Sequence, residues 1–172
     1  PRPYSGWWTC RTGSRDDPPG AEMVELGNNL TEDARWLMGF VADAGSAVVA
    51  SNSGTGYPES AYVHVASTEA GNLVLGTNVA SRKCSNIASD PRISMVIMRD
   101  GTEEVQLEGE ARILEDAEAA AAGEVLDSRH PGATATHDPQ SLRLVEVAVR
   151  WALHTDCLLY TSDAADERAS VD

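Results

Sequence analysis

Residues 76–92 read GTNVASRKCSNIASDPR, and how this stretch folds decides the reading of the whole chain. It follows the apolar run LVL (73–75), passes through small polar residues, sets Arg82 and Lys83 side by side and stops at Pro91. The residue before a proline avoids the α region, so a short helix here must end before Pro91, with Val79, Cys84 and Ile87 as its inward side. A loop that leaves a strand through Gly76, Thr77 and Asn78 and enters a helix near Ala80 aims free N–H groups, hydroxyls and the positive helix end at one point. Ser81, Arg82 and Lys83 add charge-assisted donors, and an arginine can grip a phosphate with two prongs. The cluster suits a phosphate monoester. The alternative is that Arg82 and Lys83 solvate an exposed helix and pair with Asp90 or Glu69, because surface ion pairs contribute little.

Outward from this segment the chain reads as strands joined by tight turns. SAVVASNS (46–53) and ESAYVHVAS (59–67) flank GTGYP (54–58) as a hairpin, and TEAGN (68–72) turns the chain into LVLGTN (73–78). ISMVIMRDG (93–101) ends in a DG turn signal. TEEVQLEGEARILED (102–116) alternates at Val105, Leu107, Ala111 and Ile113, and Gly109 interrupts that alternation as a bulge or a close backbone approach. LRLVEVAVRWALHT (142–155) is the last strand. Three helices accompany them. Thr31, Glu32 and Asp33 start one that runs to about residue 43, with Leu30, Ala34, Leu37, Met38 and Val41 at helical spacing and Gly45 as its stop. The second is the short one after Asn78, and the third covers Ala117 to Leu126. Five or six short strands with so few helices between them point to a small antiparallel barrel rather than a parallel doubly wound sheet.

The 172 residues suffice for one domain. A formal net charge of −14 argues against nucleic acid, where affinity comes from neutralising phosphates. No apolar run reaches the roughly 18 to 20 residues that span a bilayer, which argues against a membrane protein. Cys10, Cys84 and Cys157 are too scattered for a disulfide framework, so a reducing cytoplasm is the expected setting. His64, His130, His137 and His154 lack metal-ligand spacing, and no metal is expected. Residues 1–22 show no period and are read as unstructured, Met23 as a plausible start, and 23–156 as the domain. CLLYTSDAADER (157–168) resembles a translated sequencing-library adapter, so 157–172 are read as a non-native tail, with a natural amphipathic tail as the alternative.

From Gly56 to Glu115 the order of features resembles the pyridoxamine 5'-phosphate oxidase-like family, the FMN-binding split barrels. GYP (56–58) opens a strand, and a second strand ends in GTN (76–78). Then come SRK (81–83), a helix, DPR (90–92), ISMVI (93–97) and a strand carrying QLEGEAR (106–112). The likeness extends to the first helix and to RWALHTD (150–156). It implies a mainly β (α+β) fold, a split antiparallel barrel with peripheral helices. It also implies an FMN-dependent oxidoreductase acting on a small-molecule substrate, and a homodimer with the cofactor at the interface. Gly76, Thr77, Arg82 and Lys83 fall on family positions that contact FMN, and Asn78 and Ser81 flank them. Gln106 stands for the Gln that faces the flavin, two residues later than in the oxidases themselves, a shift that keeps its face of the strand. Ala61 and Ala66 fall where those oxidases carry an Arg and a Lys for the cofactor phosphate. No Arg-x-His for the substrate follows Arg150 and Trp151, so pyridoxamine phosphate is not the expected substrate.

Relatives on this barrel use deazaflavin or haem instead; haem needs an axial ligand, for which His64 and His154 are the candidates. A barrel that binds a flavin or nucleotide without turnover is the reading from another class. Trp151 is read as a core residue closing the barrel, with a place beside the cofactor as the alternative. Tyr62 and His64 share one strand face, Cys84 is read as buried, and Asp127, Arg129 and His130 are read as capping or solvating a helix end.

Overall fold

A computed structural model describes residues 30–136 and 138–156; the readings of 1–22, Met23, His137 and 157–172 lie outside the described residues. Helix α1 (Leu30–Ala44) turns Leu37, Phe40 and Val41 inward and stops at Gly45, whose φ of 68° lets the chain reverse into β1. Six strands follow among the described residues: β1 (Ser46–Asn52), β2 (Pro58–Ser67), β3 (Leu73–Asn78), β4 (Arg92–Arg99), β5 (Glu103–Ile113) and β6 (Leu142–Asp156). All pairs are antiparallel, and the order β1-β2-β3-β6-β5-β4 closes on itself as a barrel. Helix α2 (Arg82–Ser89) connects β3 to β4, and α3 (Asp116–Arg129) connects β5 to β6. The expected fold, a split antiparallel barrel with peripheral helices, is the one present.

The interior holds Val49, Val65, Leu75, Met95, Ile97, Leu107 and Val145, all at most 2% exposed, together with residues of α1 and Ile87 of α2. At roughly 1.5 to 3 kcal/mol for each large aliphatic side chain removed from water, this interior is the main stabilising term. A second cluster lies outside the barrel wall, where Ala122 and Leu126 of α3 cover Ala66, Val74 and Leu144. The helix therefore covers the outer face of β3 and the adjoining parts of β2 and β6, at Ala66 and Leu144. Among the described residues nothing comparable lies over the outer face of β1, β4 and β5, and Val48 and Met98 are exposed there, as is Tyr62 on the neighbouring β2.

Three expectations change. The short helix begins at Arg82 rather than near Ala80, because Ser81 caps it, and this leaves Val79 outside the helix and 45% exposed rather than inward. Gly109 does not interrupt the alternation: Val105, Leu107, Gly109 and Ala111 are all buried. It does mark both a close approach and a bulge, since a Cβ there would lie 2.8 Å from the Ala148 carbonyl oxygen and the register shifts between Glu108 and Gly109. The extra residue is Arg150 on β6, between Val149 and Trp151. Beyond it the parity is reversed, so Trp151 pairs with exposed Glu108 on the outer face rather than closing the core.

The end of the barrel near α1 is tied by charge. Arg99 donates to Glu103 Oε2 through Nε at 3.0 Å and Nη2 at 2.6 Å, and through Nη1 to Asp43 Oδ2 at 3.0 Å. His154 Nε2 lies 3.0 Å from Glu103 Oε1, and its ring meets Trp36 and Phe40 edge-on. The Arg99 hydrogen bond, aided by His154, holds the Glu103 carboxyl below its ordinary value. A carboxylate depressed in the folded state stabilises above its unfolded pKa, and that contribution disappears as pH falls through the folded value. Arg99→Ala should therefore melt lower than the parent above about pH 5, with the gap narrowing below about pH 4. Melting curves of both proteins across that range test it, and a gap independent of pH would assign the loss to packing over Phe40 alone.

Candidate functional site

The β3–α2 turn is built by its own side chains. Thr77 points into the barrel and is buried, while the Cα of Gly76 faces the other way, toward Leu142 Cδ1 and Leu126 Cδ2. Asn78 Oδ1 accepts from Ala80 N at 2.8 Å, and the Asn78 carbonyl accepts from Ser81 N at 2.9 Å, which fixes the reversal. Ser81 has extended φ/ψ, and its Oγ accepts from Cys84 N at 3.2 Å as a helix cap. The same Oγ shares a 2.8 Å hydrogen bond with Thr77 Oγ1. The hydroxyls of Thr77 and Ser81 thus hold the turn and each other. With the Cys84 N–H taken by the cap, what the turn offers outward is the N–H groups and the side chains of Arg82 and Lys83.

The two cations differ. The Arg82 side chain is 80% exposed, and its Nη1 donates to Glu59 Oε1 at 2.7 Å. Glu59 is itself fixed, its Oε2 accepting from Asn86 Nδ2 at 2.9 Å, and Asn86 Nδ2 also reaches Ser51 Oγ at 3.1 Å. Lys83 is half-buried, and burial pushes its ammonium below the ordinary value of 10.5, partly offset by Cys84. The expected partners Asp90 and Glu69 are not those of Arg82: Asp90 is held by Arg92 and Asn52.

Ser51, Glu59 and Asn86 were not legible as site residues. The signal was present in the hairpin, because the GTGYP turn sets Ser51 opposite Glu59 and so points a carboxylate and a hydroxyl to one side. The link from Glu59 to Arg82, 23 residues on, is tertiary.

Gln106 lies elsewhere on the molecule. It sits on the outer face of β5 between Val96 and Leu153, exposed, with Nε2 donating to Glu104 Oε1 at 2.7 Å. No hydrogen bond or ion pair among the described residues joins it to the 77–83 turn. Its row across the sheet is Tyr62, Val48, Val96, Gln106 and Leu153, and the neighbouring row ends in Glu108 and Trp151. Ala61 packs against the barrel core, and Ala66 is buried beneath α3.

The remaining candidates have structural partners. His64 is exposed and its ring lies 4.7 Å from that of His130, which contacts the Val65 carbonyl through Nε2 at 3.0 Å. Asp127 accepts from Thr134 N and Oγ1 and so pins the loop after α3, and His130 is the C-cap of that helix. Cys84 is buried. Among the described residues no group of three or more His, Cys, Asp or Glu could hold a metal ion, and no helix is long and apolar enough to cross a membrane.

Comparison with known proteins gives a consistent picture. The family model described as pyridoxamine 5'-phosphate oxidase matches residues 37–156. No curated protein matches the chain by sequence. Among solved structures, a conserved hypothetical protein from Mycobacterium tuberculosis is 22% identical with a TM-score of 0.62, covering 81% of this chain and 89% of its own. A heme binding protein from Mycobacterium smegmatis is 23% identical with a TM-score of 0.59, over 67% of this chain and 50% of its own. HutZ, the heme storage protein from Vibrio cholerae, is 12% identical with a TM-score of 0.57, over 67% of this chain and 88% of its own. At these identities the structural likeness carries the fold.

Proposed function

The chain belongs to the pyridoxamine 5'-phosphate oxidase family, and from that premise we propose that it binds FMN and works as a flavin-dependent oxidoreductase on a small molecule in the cytoplasm. The observation that carries this reading is the pair Arg82 and Lys83 on a turn whose own hydroxyls are already satisfied. Lys83 and the N–H groups of Arg82 and Lys83 remain for a phosphate, Arg82 joins them by exchanging Glu59 for the ligand, and these donors fit that group chemically. A bound flavin would supply the hydride or electron chemistry itself. The protein then has three tasks: Arg82 and Lys83 hold the phosphate, the capped turn keeps them in place, and an apolar surface excludes water.

That surface is the uncovered outer face with Val48, Tyr62, Val96, Met98, Trp151 and Leu153. Pairing two copies through it would form a homodimer, bury apolar area and bring Gln106 to the edge of a flavin held between them.

An absorption spectrum tests the reading. The parent should retain the paired flavin bands after gel filtration with FMN, and Arg82→Ala/Lys83→Ala should bind FMN about a hundredfold more weakly, from charge-assisted contacts of about 1.5 to 3 kcal/mol each, discounted for exposure. Equal binding by both proteins would make the pair surface charge. One observation favours haem as second reading: His64 is exposed beside the same apolar face, whereas His154 is engaged by Glu103 and enclosed by Trp36 and Phe40. A Soret band lost in His64→Ala would support it. A single band on adding deazaflavin would mark that cofactor instead, and ligand bands without turnover a non-catalytic binder.

A further inference from the structure

Glu59 stands at the phosphate-facing cations with both carboxylate oxygens engaged, one on Arg82 Nη1 and one on Asn86 Nδ2. Its side chain is only 18% exposed, against 80% for Arg82, so the acid is the enclosed member of the pair and the arginine the solvent-facing one. Asn86 is buried and also reaches Ser51, which anchors the acid to both α2 and β1. We propose that Glu59 competes with a ligand phosphate for Arg82 and so sets how tightly this site holds a phosphorylated cofactor. The proposal rests on the FMN reading above.

Two effects oppose each other. A carboxylate beside an arginine can orient the guanidinium for a ligand, which would strengthen binding. It also places a negative charge within a few ångströms of a dianion, in a protein that is already acidic. Arg82, Lys83 and Glu59 together carry a net charge of about +1, against a phosphate monoester near −2 at neutral pH. Because Arg82 is exposed, its pairing with Glu59 contributes little and so does any orienting gain, and the charge effect dominates. The half-buried Lys83 is then the principal cation for the phosphate, and Arg82 becomes available to it only as Glu59 is displaced.

The test is Glu59→Gln, which keeps an oxygen for Asn86 and removes the charge. FMN affinity is measured by fluorescence quenching on the full chain, with riboflavin, which lacks the phosphate, as the paired probe. FMN should bind about tenfold more tightly to E59Q and riboflavin equally to both proteins, and the gain should shrink when Arg82→Ala is added, leaving only the direct repulsion between carboxylate and phosphate; a gain undiminished by Arg82→Ala would overturn the competition for Arg82. A gain for riboflavin as well would assign the effect to general packing and overturn the proposal. Unchanged FMN affinity would make Glu59 a bystander, and weaker binding would make it an orienting group; either overturns the proposal while leaving the FMN reading intact. FMN bound by neither protein overturns both.

Discussion

Phe40→Ala should lower the unfolding free energy by about 4 kcal/mol, within the range for removing a buried aromatic ring. Phe40 is 2% exposed and joins α1 to the barrel interior. Its ring lies 5.6 Å from that of Trp36 and 5.8 Å from that of His154, and Arg99 Cζ sits 4.6 Å from its centroid. Alanine therefore leaves a cavity and also removes the surface on which Arg99 rests, an interaction of about 0.5 to 1 kcal/mol at a partly exposed site. The loss is a large share of the roughly 5 to 15 kcal/mol by which domains are stable. Urea titration followed by Trp fluorescence measures it. A cost below about 1 kcal/mol would mean that α1 docks without contributing to the cooperative core.

The second large effect comes from the smallest side chain. Gly109→Ala should cost about 3 kcal/mol, the upper end for overpacking, although alanine adds one methyl group. That methyl would lie 2.8 Å from both Val147 Cγ1 and the Ala148 carbonyl oxygen. A valine methyl can yield by a few tenths of an ångström; a backbone carbonyl paired in the sheet can do so only if β5 and β6 part. Gly54→Ala is the control, because its Cβ would meet nothing within 4 Å. Equal urea midpoints for the two variants would show that the bulge at Arg150 relaxes to admit the methyl group.

These two residues also show what a sequence makes legible. The strands and their order follow from two-residue alternation and from turn chemistry, both local signals, and α1 follows from apolar spacing. The face of Trp151 does not follow, because alternation carried through Val145, Val147 and Val149 places it inward, and one extra residue at Arg150 reverses the parity. A bulge leaves little mark on the bulged strand; here its mark was Gly109 on the partner. At the site, the cations and their turn were visible as an uninterrupted motif. Glu59 was not, since it reaches Arg82 only after β2, β3 and α2 have packed together. Gln106 could be assigned to a strand face, but a sequence cannot say how far that face lies from the turn.

The closure of the barrel has a consequence for how the chain assembles. β6 pairs with β3 on one side and β5 on the other, so the last of the described strands is the stave that shuts the ring. Until it docks, β3 and β5 are both open strand edges, and a nascent or partly unfolded molecule presents two templates for pairing with another copy. Asn78 must meet Leu142 across α2, β4, β5 and α3, a long loop to close before its contacts return any stability. Folding speed and aggregation in this protein are therefore governed by the same event, the arrival of β6.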